Sequence, residues 1–298
     1  MTEATNIGVM HSKDMKKEKA IGKAAKISVK VATYAFLFIM AIIVIFPFYW
    51  MIISSLKTLP EYTLPTPTFW PKKMMFSNYS HAFTTANLGQ LFFNTVYVGI
   101  ISTLLSLVIT ILSAFAFARL EFKGKNALFA ALLATMMIPG ELFTITNYIT
   151  INKFNWMNTY TVLIVPFLVS VFYIYLLRQN FLQIPNELYL AAKVDGTSDL
   201  KYLWKVMIPL ALPTIISITI LKMMGSWNSY IWPRLVANDD AHMLITNGIR
   251  SIQVVEDGVV NYPVQMAAVA TVSFPLFLVF IFLRKYIMKG VSRSGIKG

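Results

Sequence analysis

The side chains able to do chemistry in this sequence are few and widely spaced. His11, His81 and His242 fall in separate polar stretches, and there is no cysteine. No bound metal is expected from such a set, because a site needs several donors gathered at one place. A Gly-x-x-x-x-Gly-Lys-Ser/Thr loop is also missing: Gly124-Lys125 is followed by Asn126 and lacks the upstream glycine. The chain therefore lacks that route to cradling ATP phosphates, shows no catalytic constellation, and reads as carrying no cofactor of its own. Glu141 and Lys222 stand out for another reason, since each interrupts a long apolar run. A charge in hydrocarbon is costly and normally faces a polar cavity, finds a partner or reaches an interface. Both residues are thus candidates for lining a solute path, with simple pairing as the competing reading. Trp227, Asn228 and Tyr230, next to Trp232, extend that candidate path. Aromatic rings beside an amide suit a sugar, which has an apolar face and hydroxyls; Trp and Tyr also mark a membrane interface without any such role.

The elements that must position these residues are membrane spans. The chain is 57% hydrophobic and only 13% charged, with a net charge of +13, a balance that fits an integral membrane protein and no soluble class. Its basic residues lie between apolar runs and at the two ends, so topology accounts for them better than nucleic-acid binding does. Six runs are predicted to cross: Val31 to Ser55, Asn94 to Phe117, Ala127 to Tyr148, Thr161 to Leu177, Ile208 to Tyr230 and Val264 to Leu283. Each has roughly 17–25 residues, enough for a ~30 Å hydrocarbon layer. Pro139-Gly140 breaks the third and is expected to act as a gate or bend, because it frees backbone groups that only protein or water can satisfy. The first run is too long for a signal-peptide core, and no secretory signal is expected.

Orientation follows from the basic residues. With the N-terminus inside, the inner set is the Lys13–Lys30 cluster, Arg119, Lys123, Lys125, Arg178, Lys193, Lys201, Lys205 and the residues from Arg284 onward. The outer set is only Lys57, Lys72, Lys73, Lys153, Arg234 and Arg250. The positive-inside rule then places both termini in the cytoplasm. The expected organisation is a basic arm over 1–30, partly helical on the membrane surface or disordered; an all-α domain of six transmembrane helices over 31–290; and a short tail over 291–298. Among the outer loops, the proline-rich Thr58–Gln90 segment and Trp232–Tyr262 are long enough to meet a partner. The second carries Asp239, Asp240, Glu256 and Asp257, either an acidic docking patch or a merely solvated loop.

One cytoplasmic loop, 185–208, is amphipathic rather than apolar. Pro185 suits a helix start, and Leu188, Ala191, Ala192 and Asp195 recur at helical spacing. Gly196 sits where a left-handed cap ends the helix. Thr197 or Ser198 can cap a second short helix, with Asp199 in its first turn. Two readings fit: a surface built to be gripped by a partner, or an ordinary solvated connection.

Taken together these stretches resemble the membrane permease of binding-protein-dependent ABC importers, in the carbohydrate-uptake branch that includes the second maltose-type permease. The loop resembles that family's Glu-Ala-Ala motif through Ala191, Ala192, Asp195, Gly196 and Pro209. Asn94-Thr95, the run Ala114 to Arg119 with Phe122-Lys123-Gly124, Trp227-Asn228 with Trp232-Pro233, and the tail from Lys289 to Gly298 are similar to the branch. The resemblance covers nearly all of the chain after Val31. It implies a type I importer permease fold in the cell membrane, paired with a second, homologous permease as a heterodimer. It implies two ATP-binding subunits that hold ATP and Mg, and an extracytoplasmic solute-binding protein that delivers a sugar. Glu187, Leu188, Leu190, Ala191, Ala192, Asp195 and Gly196 would then form the ATPase-coupling surface. Where the family has its glutamate this chain has Leu190; Glu187, one turn earlier on the same face, is expected to substitute in part. An ion- or proton-coupled carrier is the alternative, as are a non-transporting membrane anchor and an importer for a polyol or glycerol phosphate. The carrier would need more intramembrane acids than Glu141 supplies.

Overall fold

The computed structural model describes residues 2–251, 255–256 and 259–292, with side chains described for 26–249 and 260–282. Four helices are long and apolar enough to cross a membrane unbroken, within α1 (Thr2–Ser55), α4 (Leu88–Arg119), the stretch Asp199–Trp227 and α14 (Tyr262–Ser292). Two bent pairs add up to two more crossings. The first joins α5 (Lys125–Thr135) to Gly140–Lys153, a 3-10 turn running into α6 (Thr144–Lys153), with a bend of 83°. The second joins Tyr160–Phe167, which begins with α7 (Tyr160–Ile164), to α8 (Val171–Leu182) with a bend of 46°.

The first bend falls at Pro139-Gly140. The second is not expected from a fourth run read as continuous, yet Val165-Pro166 marks it: Pro166 cannot donate within the turn Val165–Phe167, and Ser170 restarts the helix by accepting a bond from the Tyr173 amide at 3.4 Å. The 1–30 arm also differs from expectation, since its backbone joins α1 as one helix from Thr2. Its Lys, Glu, Ala and Met residues are good helix formers and contain no proline to stop the run. The tail residues 293–298 lie outside the described residues.

α4 is the central rod. Gly99, Ser102, Thr103, Ser106, Thr110 and Ala114 are buried at helical spacing, while Leu104, Leu105, Val108 and Leu112 point outward. Small residues inside and large apolar ones outside is the pattern of a helix packed in lipid, where close backbone approach replaces the hydrophobic drive. α8, α11 (Ile208–Trp227) and, after the short α12 (Ile231–Val236), α13 (Ile245–Ser251) pack on α4, and α1 lies outermost against α14, with only 6% of its apolar window buried within the chain.

The end of the bundle away from 185–208 is stitched by polar groups. α2 (Leu59–Tyr62) carries a buried Glu61, which accepts bonds from the Thr68 hydroxyl at 2.8 Å and the Lys72 amide at 3.0 Å. Lys57 is buried beside it over the Trp50 ring, and burial pushes its pKa below the ordinary range. Asn78, in α3 (Ser77–Thr85), donates to the carbonyls of Ser55 and Lys57. Asn94, fully buried, donates to Ala241 and Met243, each at 2.9 Å, and accepts from the Tyr160 hydroxyl at 2.7 Å. Thr95 accepts the Ile245 amide at 2.9 Å. Asn94-Thr95 thus pins the loop before α13 to the head of α4. After α13 come paired two-residue strands, β1 (Val255–Glu256) and β2 (Val259–Val260).

Candidate functional site

The amphipathic loop forms two short helices, α9 (Asn186–Val194) and α10 (Asp199–Tyr202), joined by a tight reversal. Gly196 has φ +69, its amide donates to the Lys193 carbonyl at 3.1 Å, and the Thr197 amide reaches back to Ala192 at 2.8 Å. This bond pair is a Schellman cap, which satisfies carbonyls that the end of α9 would leave open. Ser198 occupies the N-cap position of α10 but its side chain makes no capping bond.

Asp199 does more than sit near a helix start. Its carboxylate accepts from the Tyr189 hydroxyl at 2.8 Å and pairs with Lys193 at 2.6 Å. The bond to Asp199 holds the Lys193 pKa above its ordinary range, while burial and then Asp199 raise that of Tyr189. Tyr189 also packs its ring 5.1 Å from that of Tyr202. The two helices are therefore one clamped unit, and Tyr202 and Leu203 root it in the core formed with α4 and α8.

Its outer surface is apolar and bare. Glu187, Leu188, Leu190, Ala191 and Asp195 are exposed, Val194 is 88% exposed, and Tyr189 and Ala192 are partly covered. Leu200 and Trp204, one helical turn apart, extend the patch, Trp204 at 63% exposure. α10 runs through a π-turn, Leu203–Met207, into α11, so movement of the loop has a direct path into a long helix.

A pair of arginines joins the same end of the bundle. Arg119, the last residue of α4, is buried and donates to the carbonyls of Phe181 (2.9 Å) and Ile184 at the end of α8. Arg178 of α8 returns the bond, donating from Nε to the Phe117 carbonyl of α4 at 3.0 Å, with its guanidinium 4.1 Å from the Phe129 ring centre. Each cation meets carbonyls near the other helix's negative end.

Higher in the bundle lie two adjoining cavities. An open cleft of about 450 Å³ is lined by Gly140, Glu141, Thr144, Asn147, Asn228 and Tyr230 among others. A second cavity, of about 340 Å³, is lined by Lys222, Ser102, Ser170, Tyr173 and Ser226 among others. The two share Phe167, Ser229 and Trp232. Four of the five candidate path residues thus border one connected region. Trp227 does not: its ring packs 5.9 Å from Phe92, towards the core with α13 and α14. Pro139 turns the chain without lining the cleft, whereas Gly140 lines it. The serines and Tyr173 are not singled out by sequence reasoning, although Lys222 and Ser226 stand four residues apart and so share a face of α11, with Ser229 two residues beyond its end.

Other expectations fare differently. Asp239 binds His242 at 2.7 Å, and Asp240 is exposed; the side chain of Glu256 and all of Asp257 lie outside the described residues. Among the described residues no cluster of metal-ligating side chains occurs.

Residues 106–293 match the family described as "Binding-protein-dependent transport system inner membrane component". The chain is 30% identical over 269 residues to the arabinooligosaccharides transport system permease protein AraQ of Halalkalibacterium halodurans, covering 89% of this chain and 95% of that one. It is 28% identical to the diacetylchitobiose uptake system permease protein NgcG of Streptomyces coelicolor, covering 88% and 87%. Its fold is similar to a chain of a bacterial ABC transporter involved in the import of the acidic polysaccharide alginate, with a TM-score of 0.79 at 22% identity, over 86% of this chain and 95% of that one.

Proposed function

The chain belongs to the family of binding-protein-dependent transport system inner membrane components, and on that premise we propose that it is the permease subunit of an ATP-driven importer for a sugar or oligosaccharide. The observation that carries this reading is the likeness to sugar and oligosaccharide permeases over nearly the full length of both chains. It is a multi-pass inner-membrane protein and a transport component, not an enzyme. In this reading it crosses six times, with the two bent pairs as spans three and four and both termini in the cytoplasm. A homologous permease pairs with it, two ATPase subunits hold ATP and Mg, and an extracytoplasmic solute-binding protein docks on the outer loops.

The exposed face of α9 and α10 is the contact for an ATPase subunit. Burying one leucine of that face contributes roughly 1.5–3 kcal/mol, against about 0–1 kcal/mol for an exposed ion pair, so Leu188, Leu190 and Val194 carry more of the grip than Glu187 does. Glu187 steers the contact in place of the family's glutamate. Glu187→Lys is expected to lower solute-stimulated ATP hydrolysis by the complex; unchanged stimulation would remove that role.

ATP acts here by binding one state of the assembly better than the other. Closure of the ATPase pair pulls the clamped loop, and α11 passes the movement to the cavities beside Glu141 and Lys222. The test is purification of the tagged chain with its subunits, then uptake into proteoliposomes containing ATP, with the solute-binding protein outside. ATP-dependent sugar uptake is expected. Accumulation driven by an ion gradient without an ATPase would overturn the proposal.

A further inference from the structure

We infer that the solute is anionic, a sugar bearing a carboxylate or a phosphate whose charge is met by Lys222; this rests on the import reading above and names the substrate class of the same cavity. Lys222 stands near the end of α11 opposite the loop, on the face that also presents Ser226 to the cavity, and Ser229 lines the cavity from just beyond the helix end. Its ammonium makes one hydrogen bond, to the Phe167 carbonyl at 2.6 Å. An ammonium has three N–H donors, so two remain for a visitor. Among the described residues no carboxylate lies within 4.0 Å of it. Glu141, the acid of the neighbouring cleft, is not among the residues lining this one.

A full charge inside a span is costly, and a hydroxyl or amide would satisfy the Phe167 carbonyl at lower cost. The charge therefore has a use that a neutral donor cannot serve, and the cavity around it is shaped for a small polar molecule. Its volume of about 340 Å³ falls within the ~300–1,000 Å³ of small-molecule clefts. Ser170, Tyr173, Ser226 and Ser229 bring hydroxyls, and Phe167 and Trp232 bring aromatic faces. Charge-assisted bonds are about twice as strong as neutral ones, so the lysine dominates the choice among solutes of equal size.

The experiment compares uptake of three labelled probes by the full complex: a uronic-acid disaccharide, a sugar phosphate and a neutral disaccharide. Wild type is expected to carry at least one of the acidic probes better than the neutral one, and which acidic probe it carries identifies the anion. Lys222→Met is expected to lower the ratio of acidic to neutral uptake by at least about tenfold, the effect of one lost charged hydrogen bond. Lys222→Arg, which keeps the charge, is expected to hold the ratio within a few-fold. Wild-type uptake confined to the neutral probe would overturn the inference and leave the import reading intact. So would an equal loss of acidic and neutral uptake in Lys222→Met, which would make the lysine a clamp for the bend at Phe167. ATP-dependent uptake of no probe would count against the import reading instead.

Discussion

At Gly196 the backbone stands at φ +69, and no heavy atom lies within 4 Å of the place a β-carbon would occupy. The cost of a side chain there is therefore conformational and not a clash. For an ordinary L residue the left-handed region costs roughly 1–2 kcal/mol, while asparagine enters it readily. Gly196→Asn is expected to retain most solute-stimulated ATP hydrolysis, whereas Gly196→Val, branched at the β-carbon, should reduce it severalfold with the protein still in the membrane. Equal activity in both variants would mean that the aim of α10 does not matter. The Lys193–Asp199 contact beside it holds across neutral pH. The bond to Asp199 raises the Lys193 pKa above 10.5, so the contact fades as pH rises through that folded value. The bond from Lys193 lowers the Asp199 pKa below 3.8, so the contact fades again as pH falls through the folded value of the carboxyl. Gly196 was legible from sequence because a cap signal is local. Gly248 was not. A β-carbon there would stand 2.2 Å from Leu91 Cδ1, a contact between α13 and α4 that no nearby residue announces.

The elements show the same division between local and distant causes. Pro139-Gly140 announced its bend, and Pro166 offered an equal signal inside a run that hydropathy joined into one. Arg119 and Arg178 could be read only as markers of the cytoplasmic side, since their partners, Phe181, Ile184 and Phe117, are some sixty residues away in sequence. In the fold they form a reciprocal tie between α4 and α8 at the end that carries α9. A charged hydrogen bond contributes about 1.5–3 kcal/mol, and a buried carbonyl left unpaired adds its own cost. Arg119→Ala is thus expected to lower the melting temperature of the detergent-purified chain by several degrees, and Arg178→Ala by less, because it loses one carbonyl bond and the weaker contact with the Phe129 ring. The two sites clamp one interface, so the double variant should lose less than the sum of the singles. Strict additivity would mean that the arginines act separately.

At the scale of the whole molecule, the fold assigns loops to two ends without saying which end faces the cell. Loop 185–208 lies with Arg119 and the Glu121–Lys125 turn at one end; the Glu61 clasp and the Asn94 knot lie at the other. Charge decides the sign, since the first end gathers Arg119, Lys123, Lys125, Arg178, Lys193, Lys201 and Lys205, while Lys57, Lys72, Lys73, Lys153, Arg234 and Arg250 are spread over the second. Translocating a short basic loop is disfavoured, so the first end should stay in the cytoplasm, where an ATPase can reach α9. The lack of cysteine makes this testable without background. Lys73 and Glu121 are both exposed and neither lines a cavity bordered by Glu141 or Lys222. A single cysteine at Lys73 should react with a membrane-impermeant maleimide in intact spheroplasts, and one at Glu121 only after lysis. Labelling in the reverse order would put α9 and Gly196 outside, beyond the reach of any cytoplasmic nucleotide, and the coupling role of the loop would fall with it.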